Sequence, residues 1–201
     1  MTGKLHLIVE GDGDKTAVPK LVHKILADKQ LSHVRLTGEP QVSGGIAKVE
    51  KRLADFLGYA LKHQCPILWV LDCDEKIPGK TLCPVEQVAK LKAQIAQLAL
   101  HNPQPIEFAF FIKEFEALFL LEEQALRTHF KLAPTVTIDP KVALRRDAKG
   151  EISALLGKER AYKETTDQAK ITSLLSLDKC REVSRDFRHL ESAVLRLCTT
   201  P

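Results

Sequence analysis

Short runs of apolar residues alternate along the first part of the chain with longer segments in which apolar residues recur every three or four positions. The runs are typical of buried parallel strands and cover residues 4–9, 32–36, 65–71 and 106–112. Helical spacing follows in residues 14–29 and 46–61, and again after Pro84, which suits the first turn of a helix. This order predicts an α/β fold, with a parallel sheet, right-handed crossovers and helices on both faces.

The pattern changes after the fourth predicted strand. Residues 114–124 have helical spacing, and residues 134–140 are predicted to form an irregular connector. Shorter helical patterns follow at 151–156, 167–175 and 183–197. We therefore predict two parts, an α/β domain over residues 1–133 and a helical, basic extension over residues 134–201 that packs on the core.

Composition places the chain among ordinary soluble proteins. Of its 201 residues 44% are hydrophobic, and neither a transmembrane run nor a signal peptide is evident. The five cysteines are odd in number and form no C-x-x-C pair, which argues against a disulfide framework or a zinc site. We expect a cytoplasmic protein that does not bind membranes.

The net charge of +4 is unevenly distributed. Residues 141–201 hold 13 Lys and Arg against 9 Asp and Glu, which accounts for the whole excess. A basic segment beside an acidic site suits a polyanion held near metal. A solvated helical face that happens to be basic explains the same charge equally well.

Acidic residues end two of the predicted strands. Glu10 and then Gly11 follow the first strand, and Asp72 and Asp74 follow the third. The carboxyl ends of parallel strands meet at one edge of the sheet, and alternate residues of an extended segment point to the same side. Carboxylates gathered in this way suit a hard divalent cation such as Mg²⁺.

These motifs resemble the TOPRIM signature of topoisomerases, bacterial primases and the OLD family of nucleases. The segment KEFEALFLL, residues 113–121, is similar to the acidic segment after the fourth strand in OLD-like members. Tyr162-Lys163, residues 167–175 and SRDFRHL, residues 184–190, resemble one group of small stand-alone OLD-like proteins. That group forms an uncharacterised domain family, often encoded beside AAA-type ATPases in anti-phage defence loci. The resemblance implies a TOPRIM-like, Rossmann-like sheet.

The resemblance also implies roles for individual residues. Glu10 would be a general acid/base beside the metal, and Asp14 matches the second acid of an E-G-x-x-E arrangement, shortened here to Asp. Asp72 and Asp74 would bind metal. Glu114 or Glu116 would add a further carboxylate, and we favour Glu116. A late lysine would neutralise the scissile phosphate and bind nucleic acid, with Lys163 preferred over Lys158 and Lys170.

The implied reaction is phosphodiester hydrolysis with two Mg²⁺ or Mn²⁺ ions. The expected partners are nucleic acid, DNA in preference to RNA, and an AAA- or ABC-type ATPase, and an oligomer is compatible with the sequence. One alternative is an interaction subunit that keeps the TOPRIM fold with little or no catalysis. A second is a receiver-like domain in which Asp72 accepts a phosphoryl group.

Overall fold

A five-stranded parallel sheet forms the centre of the computed structural model, which describes residues 3–73, 83–144, 147–158 and 160–199. Its strands are β1 (Lys4–Val9), β2 (Arg35–Leu36), β3 (Gln41–Val42), β4 (Ile67–Asp72) and β5 (Ile106–Phe111). The order across the sheet is β2-β1-β4-β5, and β3 pairs with β1 beyond β2, so that two short strands share one long neighbour.

Three long helices join the strands: α1 (Asp14–Asp28), α2 (Ile46–Ala60) and α3 (Pro84–Gln97). The remaining helices follow β5: α4 (Ala117–Leu121), α5 (Glu123–Phe130), α6 (Ala148–Leu155), α7 (Ala169–Leu174), α8 (Leu177–Val183) and α9 (Arg185–Thr199). Two short 3₁₀ segments lie at Leu61–His63 and Pro140–Leu144, and a π-helical turn, Glu164–Gln168, runs directly into α7. The predicted α/β fold is therefore confirmed.

The structure corrects four details of the predicted elements. The second predicted strand shrinks to β2, and the loop after it contains β3. The single helix predicted over residues 114–124 is a turn at residues 114–116 followed by α4 and the start of α5, because the chain leaves helical geometry at Glu122. Helix α8 was not predicted, since its seven residues span only two turns.

Alternate residues of the three long strands point to opposite faces of the sheet and pack into two separate hydrophobic cores. Leu7, Leu68 and Ala109 face the side that is covered by α1 and α9. On the other side, under α2 and α3, Trp69 is fully buried and stacks on Phe108 with ring centroids 5.6 Å apart. Truncation of a buried tryptophan typically costs about 3–5 kcal/mol, so this face is a main support of the sheet.

Trp69 also fixes the loop at the carboxyl edge of the sheet. Its Nε1–H donates to Ser43 Oγ at 3.1 Å, and the Ser43 hydroxyl lies 3.1 Å from the Val9 carbonyl oxygen, to which it donates. Both side chains are fully buried. The loop that precedes α2 is thereby held against the end of β1, directly before Glu10.

The last helix lies along the edge strand of the sheet. Near the start of α9, Asp186 accepts the Ile112 N–H at 2.8 Å, and near its end Arg196 forms a two-bond ion pair with Glu107. The C-terminal helices thus pack on the sheet and on α1 as parts of one core. None of the helices within the described ranges is long and apolar enough to cross a membrane.

Candidate active site

The ends of β1 and β4 bring two predicted acids into direct contact. These strands pair in register, with Val9 opposite Val70. Glu10 Oε2 accepts the backbone N–H of Asp72 at 2.8 Å, and Asp72 Oδ1 accepts the N–H of Phe115 at 3.0 Å. The two carboxyl groups are therefore held by main-chain donors from the neighbouring strand and from the turn after β5.

Asp14 joins the same edge from the first residue of α1. Its Oδ2 accepts the Gly11 N–H at 3.0 Å, which closes the turn between β1 and α1. Its Oδ1 accepts the Gln168 side-chain N–H at 2.8 Å. The shortened acid thus connects the first turn of the molecule to the π-helical turn near its other end.

Glu116 completes the cluster from the turn after β5. Its side chain is buried, and Tyr162 donates its hydroxyl hydrogen to Glu116 Oε1 at 2.9 Å. Burial raises the pKa of the Glu116 carboxyl to about 7. Burial of the Tyr162 side chain, together with the charge of Glu116, raises the pKa of the Tyr162 hydroxyl. Tyr162 therefore stays protonated and fixes the orientation of Glu116.

The four acids repel one another. Loss of surrounding water raises the pKa of Asp72 well above its ordinary value, and the charges of Asp14, Glu10 and Glu116 add to that effect. Burial likewise raises the pKa of Asp14. A group of like charges with so little water is costly unless a cation lies among them. The site is therefore short of positive charge.

Lys149, near the start of α6, is the cation that acts on this cluster. Its ammonium group pairs with Glu164, and its charge lowers the pKa of Asp14, Asp72 and Glu116. Burial opposes the charge of Lys149, but the carboxylates of Glu116, Glu164 and Asp72 outweigh burial and raise its pKa. Lys149 therefore remains positively charged beside the acids.

The structure brings some of the predicted site residues together and separates others. It brings together Glu10, Asp14, Asp72 and Glu116, whereas Asp74 lies outside the described residues. Glu114 is turned towards α6, where its Oε2 accepts the Lys149 backbone N–H at 3.2 Å. The side chains of the three predicted phosphate-binding lysines, Lys158, Lys163 and Lys170, are exposed. The lysine among the acids is Lys149 instead.

Four contributors were missed as site residues: Lys149, Tyr162, Glu164 and Gln168. One local signal was available for Lys149, because Asp147 caps α6 by accepting the Gly150 N–H at 3.0 Å, and an Asp before a helical pattern is a start signal. That signal places Lys149 in a first helical turn but does not indicate what it faces. Within the ranges that the structure describes, no three His, Cys, Asp or Glu side chains are grouped as a ready-made metal cage.

The protein is of the α/β class, with an acid cluster at the carboxyl edge of a parallel sheet and helices of the C-terminal region packed beside it. Solved structures share this fold. The fold is similar to the C-terminal region of the Burkholderia pseudomallei OLD protein, with a TM-score of 0.52, 12% identity and 98% of each chain covered. The same region of the Xanthomonas campestris pv. campestris OLD protein gives a TM-score of 0.45 at 13% identity, covering 98% of this chain and 97% of that one. At 12% identity the likeness to the Burkholderia pseudomallei region shows the fold alone.

The sequence assigns the chain to a family. The profile of the domain of unknown function DUF4276 matches residues 9–195, so the chain belongs to the DUF4276 family. A comparison with curated proteins found no match.

Proposed function

We propose that this DUF4276 protein is a TOPRIM-type, metal-dependent nuclease of the OLD kind, which hydrolyses nucleic-acid phosphodiesters. One observation carries the proposal. Four carboxylates from separate segments, those of Glu10, Asp14, Asp72 and Glu116, meet at the carboxyl edge of the sheet with Lys149 beside them. Structural stability alone gives no reason to gather acids that repel one another.

The residue types in this cluster suit a hard divalent cation. Carboxylate oxygens are the ligands that Mg²⁺ and Mn²⁺ prefer. Burial first, and neighbouring carboxylates second, raise the pKa of Asp72 and of Glu116, and a bound cation would offset both effects. Glu10, Asp14, Asp72 and Glu116 would hold two such ions, and Asp74 is proposed as a further ligand. When bound, the ions would supply an activated water and neutralise charge on the phosphate.

The chain's own residues would orient the substrate and stabilise charge. Lys149 keeps its proton and would lie near the phosphate, where it would stabilise the negative charge that develops during hydrolysis. Glu10, held by the Asp72 N–H, is proposed as the general acid/base. Tyr162 is a positioning residue, because it acts by orienting Glu116.

The biological setting belongs to the same proposal. We infer that DNA is the preferred substrate and that an AAA- or ABC-type ATPase partner controls access to the site, as part of anti-phage defence. The resemblance of the sequence motifs and the basic excess of residues 141–201 support this inference.

The direct test is a cleavage assay with single-stranded DNA, duplex DNA and RNA, in Mg²⁺, Mn²⁺ or chelator. We expect cleavage that depends on the metal and that Asp72→Asn and Glu116→Gln each reduce by at least a hundredfold. Asp12→Asn is the matched control, because Asp12 lies in the same turn as Glu10 but is exposed. Cleavage that survives Asp72→Asn, or that persists in chelator, would refute the proposal.

The second candidate is an interaction subunit with little or no catalysis. It is favoured by the absence, among the described residues, of three metal-binding side chains grouped as a cage. Calorimetric titration with Mg²⁺ and Mn²⁺ separates the two candidates, with an ATPase of the proposed AAA or ABC type both present and absent. Binding of the ATPase without metal binding or cleavage in either condition would favour the subunit.

A further inference from the structure

The exposed face of α9 carries only positive charge. Its exposed residues recur at helical spacing: Arg185, Arg188, His189, Ser192, Arg196 and Thr199. Both acids of the helix turn inwards and are bonded, because Asp186 accepts the Ile112 N–H and Glu191 accepts two bonds from Arg181 Nε at 3.0 and 3.2 Å. We call the two turns from Arg185 to Ser192 the basic stripe.

The basic stripe begins at the edge of the sheet that holds the acid cluster. The bond between Asp186 and Ile112 anchors the start of α9 to the carboxyl end of β5. Asp72 is the register partner of Phe111, the last residue of β5. Adjacent strands lie about 4.8 Å apart, so the stripe starts roughly one strand away from Asp72.

A groove of about 330 Å³ runs beside the stripe, between α9 and α3. Its walls are mainly apolar, with Val85 and Val88 of α3 on one side and Phe108, Phe110 and Ile112 at its base. Val85 is 72% exposed and so is available to a ligand in the groove. On the α9 side Arg185 and His189 belong to both the groove and the stripe. Asp186 also lines the groove, but its carboxylate is bonded to the Ile112 N–H.

We propose that the basic stripe and this groove bind a single strand of nucleic acid as it approaches the acid cluster. Phosphates would contact Arg185 and Arg188, and one unstacked base would enter the groove between Val85 and His189. Charge complementarity favours a polyanion, since none of the exposed charges of α9 is negative. Bases inside a duplex are not available to an apolar groove, so the groove selects single strands. This inference rests on the proposed function for its class of substrate.

The first test measures binding and its salt dependence. A fluorescent oligonucleotide is titrated in the Asp72→Asn background, so that cleavage does not interfere, at several salt concentrations. Each lost phosphate contact reduces the slope of log K against log salt by about 0.7 for a single strand. We expect Arg185→Ala with Arg188→Ala to weaken binding at least tenfold and to lower that slope by about 1.4.

A matched control removes two exposed lysines at the amino end of the sheet, opposite the acid cluster. Lys4 is the first residue of β1, and Lys62 lies shortly before β4. Lys4→Ala with Lys62→Ala changes the net charge by the same amount. We expect at most a twofold change in affinity from this pair. Equal losses from the two pairs would mean that binding follows net charge alone, and the proposed surface would be wrong.

The second test addresses the groove. Val85→Gln keeps the charge and changes an exposed side chain, so folding is preserved. Loss of an apolar contact to a base should weaken single-strand binding by several-fold and leave duplex binding unchanged. Equal effects on single strands and duplexes, or no effect on either, would overturn the assignment of the groove.

The outcomes separate this inference from the proposed function. Wild-type protein that binds single strands through Arg185 and Arg188 but cuts nothing would refute the nuclease and keep the surface. Cleavage with unchanged binding in the Arg185→Ala, Arg188→Ala variant would refute the surface and keep the nuclease. If that variant loses an acidic protein partner while oligonucleotide binding is unchanged, the face is a protein interface and the inference is wrong.

Discussion

At the scale of single residues, the charge balance of the acid cluster depends on Lys149. Its ammonium group pairs with Glu164 and offsets the charges of Asp72 and Glu116. We expect Lys149→Met to reduce cleavage about a hundredfold, because the charge that stabilises the phosphate is lost. Lys163→Met, which removes an exposed lysine, should change the rate less than threefold. A larger loss from Lys163→Met than from Lys149→Met would contradict the assignment.

Gly13 is where the C-terminal region approaches the first turn most closely. A Cβ at this position would lie 2.9 Å from Glu164 Cβ and would overlap the side chain of Gln168. We expect Gly13→Ala to destabilise the fold by about 1–3 kcal/mol through overpacking. Gly11→Ala is the control, since its Cβ would meet only Asp14 Oδ2, at an ordinary 3.6 Å. Urea unfolding measures both, and equal effects would exclude overpacking as the cause.

His6 gives the protein a pH-dependent stability of its own. Burial, and then the charge of His63, lower the pKa of His6 from 6.5 to about 4. The unfolded chain therefore takes up a proton before the folded one does, so the contribution of His6 is complete above pH 6.5 and is lost as the pH falls towards 4.

This shift predicts a loss of about 2 kcal/mol of unfolding free energy between pH 7 and pH 5. The His6→Asn variant lacks this imidazole, so its unfolding free energy should fall by about 2 kcal/mol less than that of the wild type between pH 7 and pH 5. Urea unfolding of both proteins at the two pH values provides the measurement. Parallel losses in wild type and variant would show that His6 does not titrate in this way.

The sequence was sufficient to place some site residues but not others. Glu10 directly follows β1 and Asp72 is the last residue of β4, and the parallel arrangement alone brings such positions to one edge. Lys149 lies far from both along the chain and reaches the acids only through tertiary packing of α6. No local pattern distinguishes it from the exposed Lys158 or Lys163, so the sequence alone did not indicate that Lys149 lies beside the acids.

At the scale of elements, Arg181 joins three helices. It lies on α8 and pairs with Asp28 at the end of α1, with Asp178 on its own helix and with Glu191 on α9. Arg181→Met should lower stability by about 1–3 kcal/mol, because Glu191 is 13% exposed and would keep only the longer salt bridge with Lys29, at 3.6 Å, among those in the described ranges.

Lys179→Met, from the same helix, is the matched control. Within the described ranges, the salt bridges of Lys179 are limited to one with Glu182, whose carboxylate is 69% exposed. Loss of such a surface pair changes stability by less than about 0.5 kcal/mol. Thermal unfolding of the two variants should therefore differ, and similar shifts in Tm would argue against Arg181 as the joint between these helices.

The elements differ in how far local sequence determines them. Strand β1 was predicted with its observed ends, since a run of buried apolar residues is bounded by Lys4 and by Glu10. Strand β3 has two residues, Gln41 and Val42, and exists because β1 offers free backbone groups beside it. The π-helical turn is also set by its surroundings, since it contacts α1 and contributes Gln168 to Asp14. Elements of this kind depend on tertiary contacts.

At the scale of the whole molecule, the acid cluster costs folding stability. The native-state pKa of Asp72 lies above its ordinary 3.8, so the ionised group penalises the folded state at neutral pH, and the penalty disappears as the pH falls below 3.8. Asn retains the oxygen that accepts the Phe115 N–H. In chelator at pH 8 we therefore expect Asp72→Asn to unfold at a higher urea concentration than wild type.

The same pair of proteins reports on metal. Saturating Mg²⁺ should stabilise the wild type, by about 2.7 kcal/mol at a hundred times its Kd, and should stabilise the variant less. The advantage of Asp72→Asn should also shrink as the pH is lowered towards 4. A variant that is less stable than wild type in chelator at pH 8 would contradict the idea that burial and repulsion of the Asp72 carboxylate destabilise the fold.

The hydrogen bond between Gln168 and Asp14 spans 154 positions of the chain. Ribosomes add about 5–20 residues per second, so on the order of ten seconds pass between synthesis of Asp72, at the end of β4, and of Lys149. During that interval a nascent chain displays Glu10, Asp14 and Asp72 without Lys149. Newly made protein therefore acquires Lys149, the cation beside these acids, late in translation, after the described strands of the sheet have been synthesised.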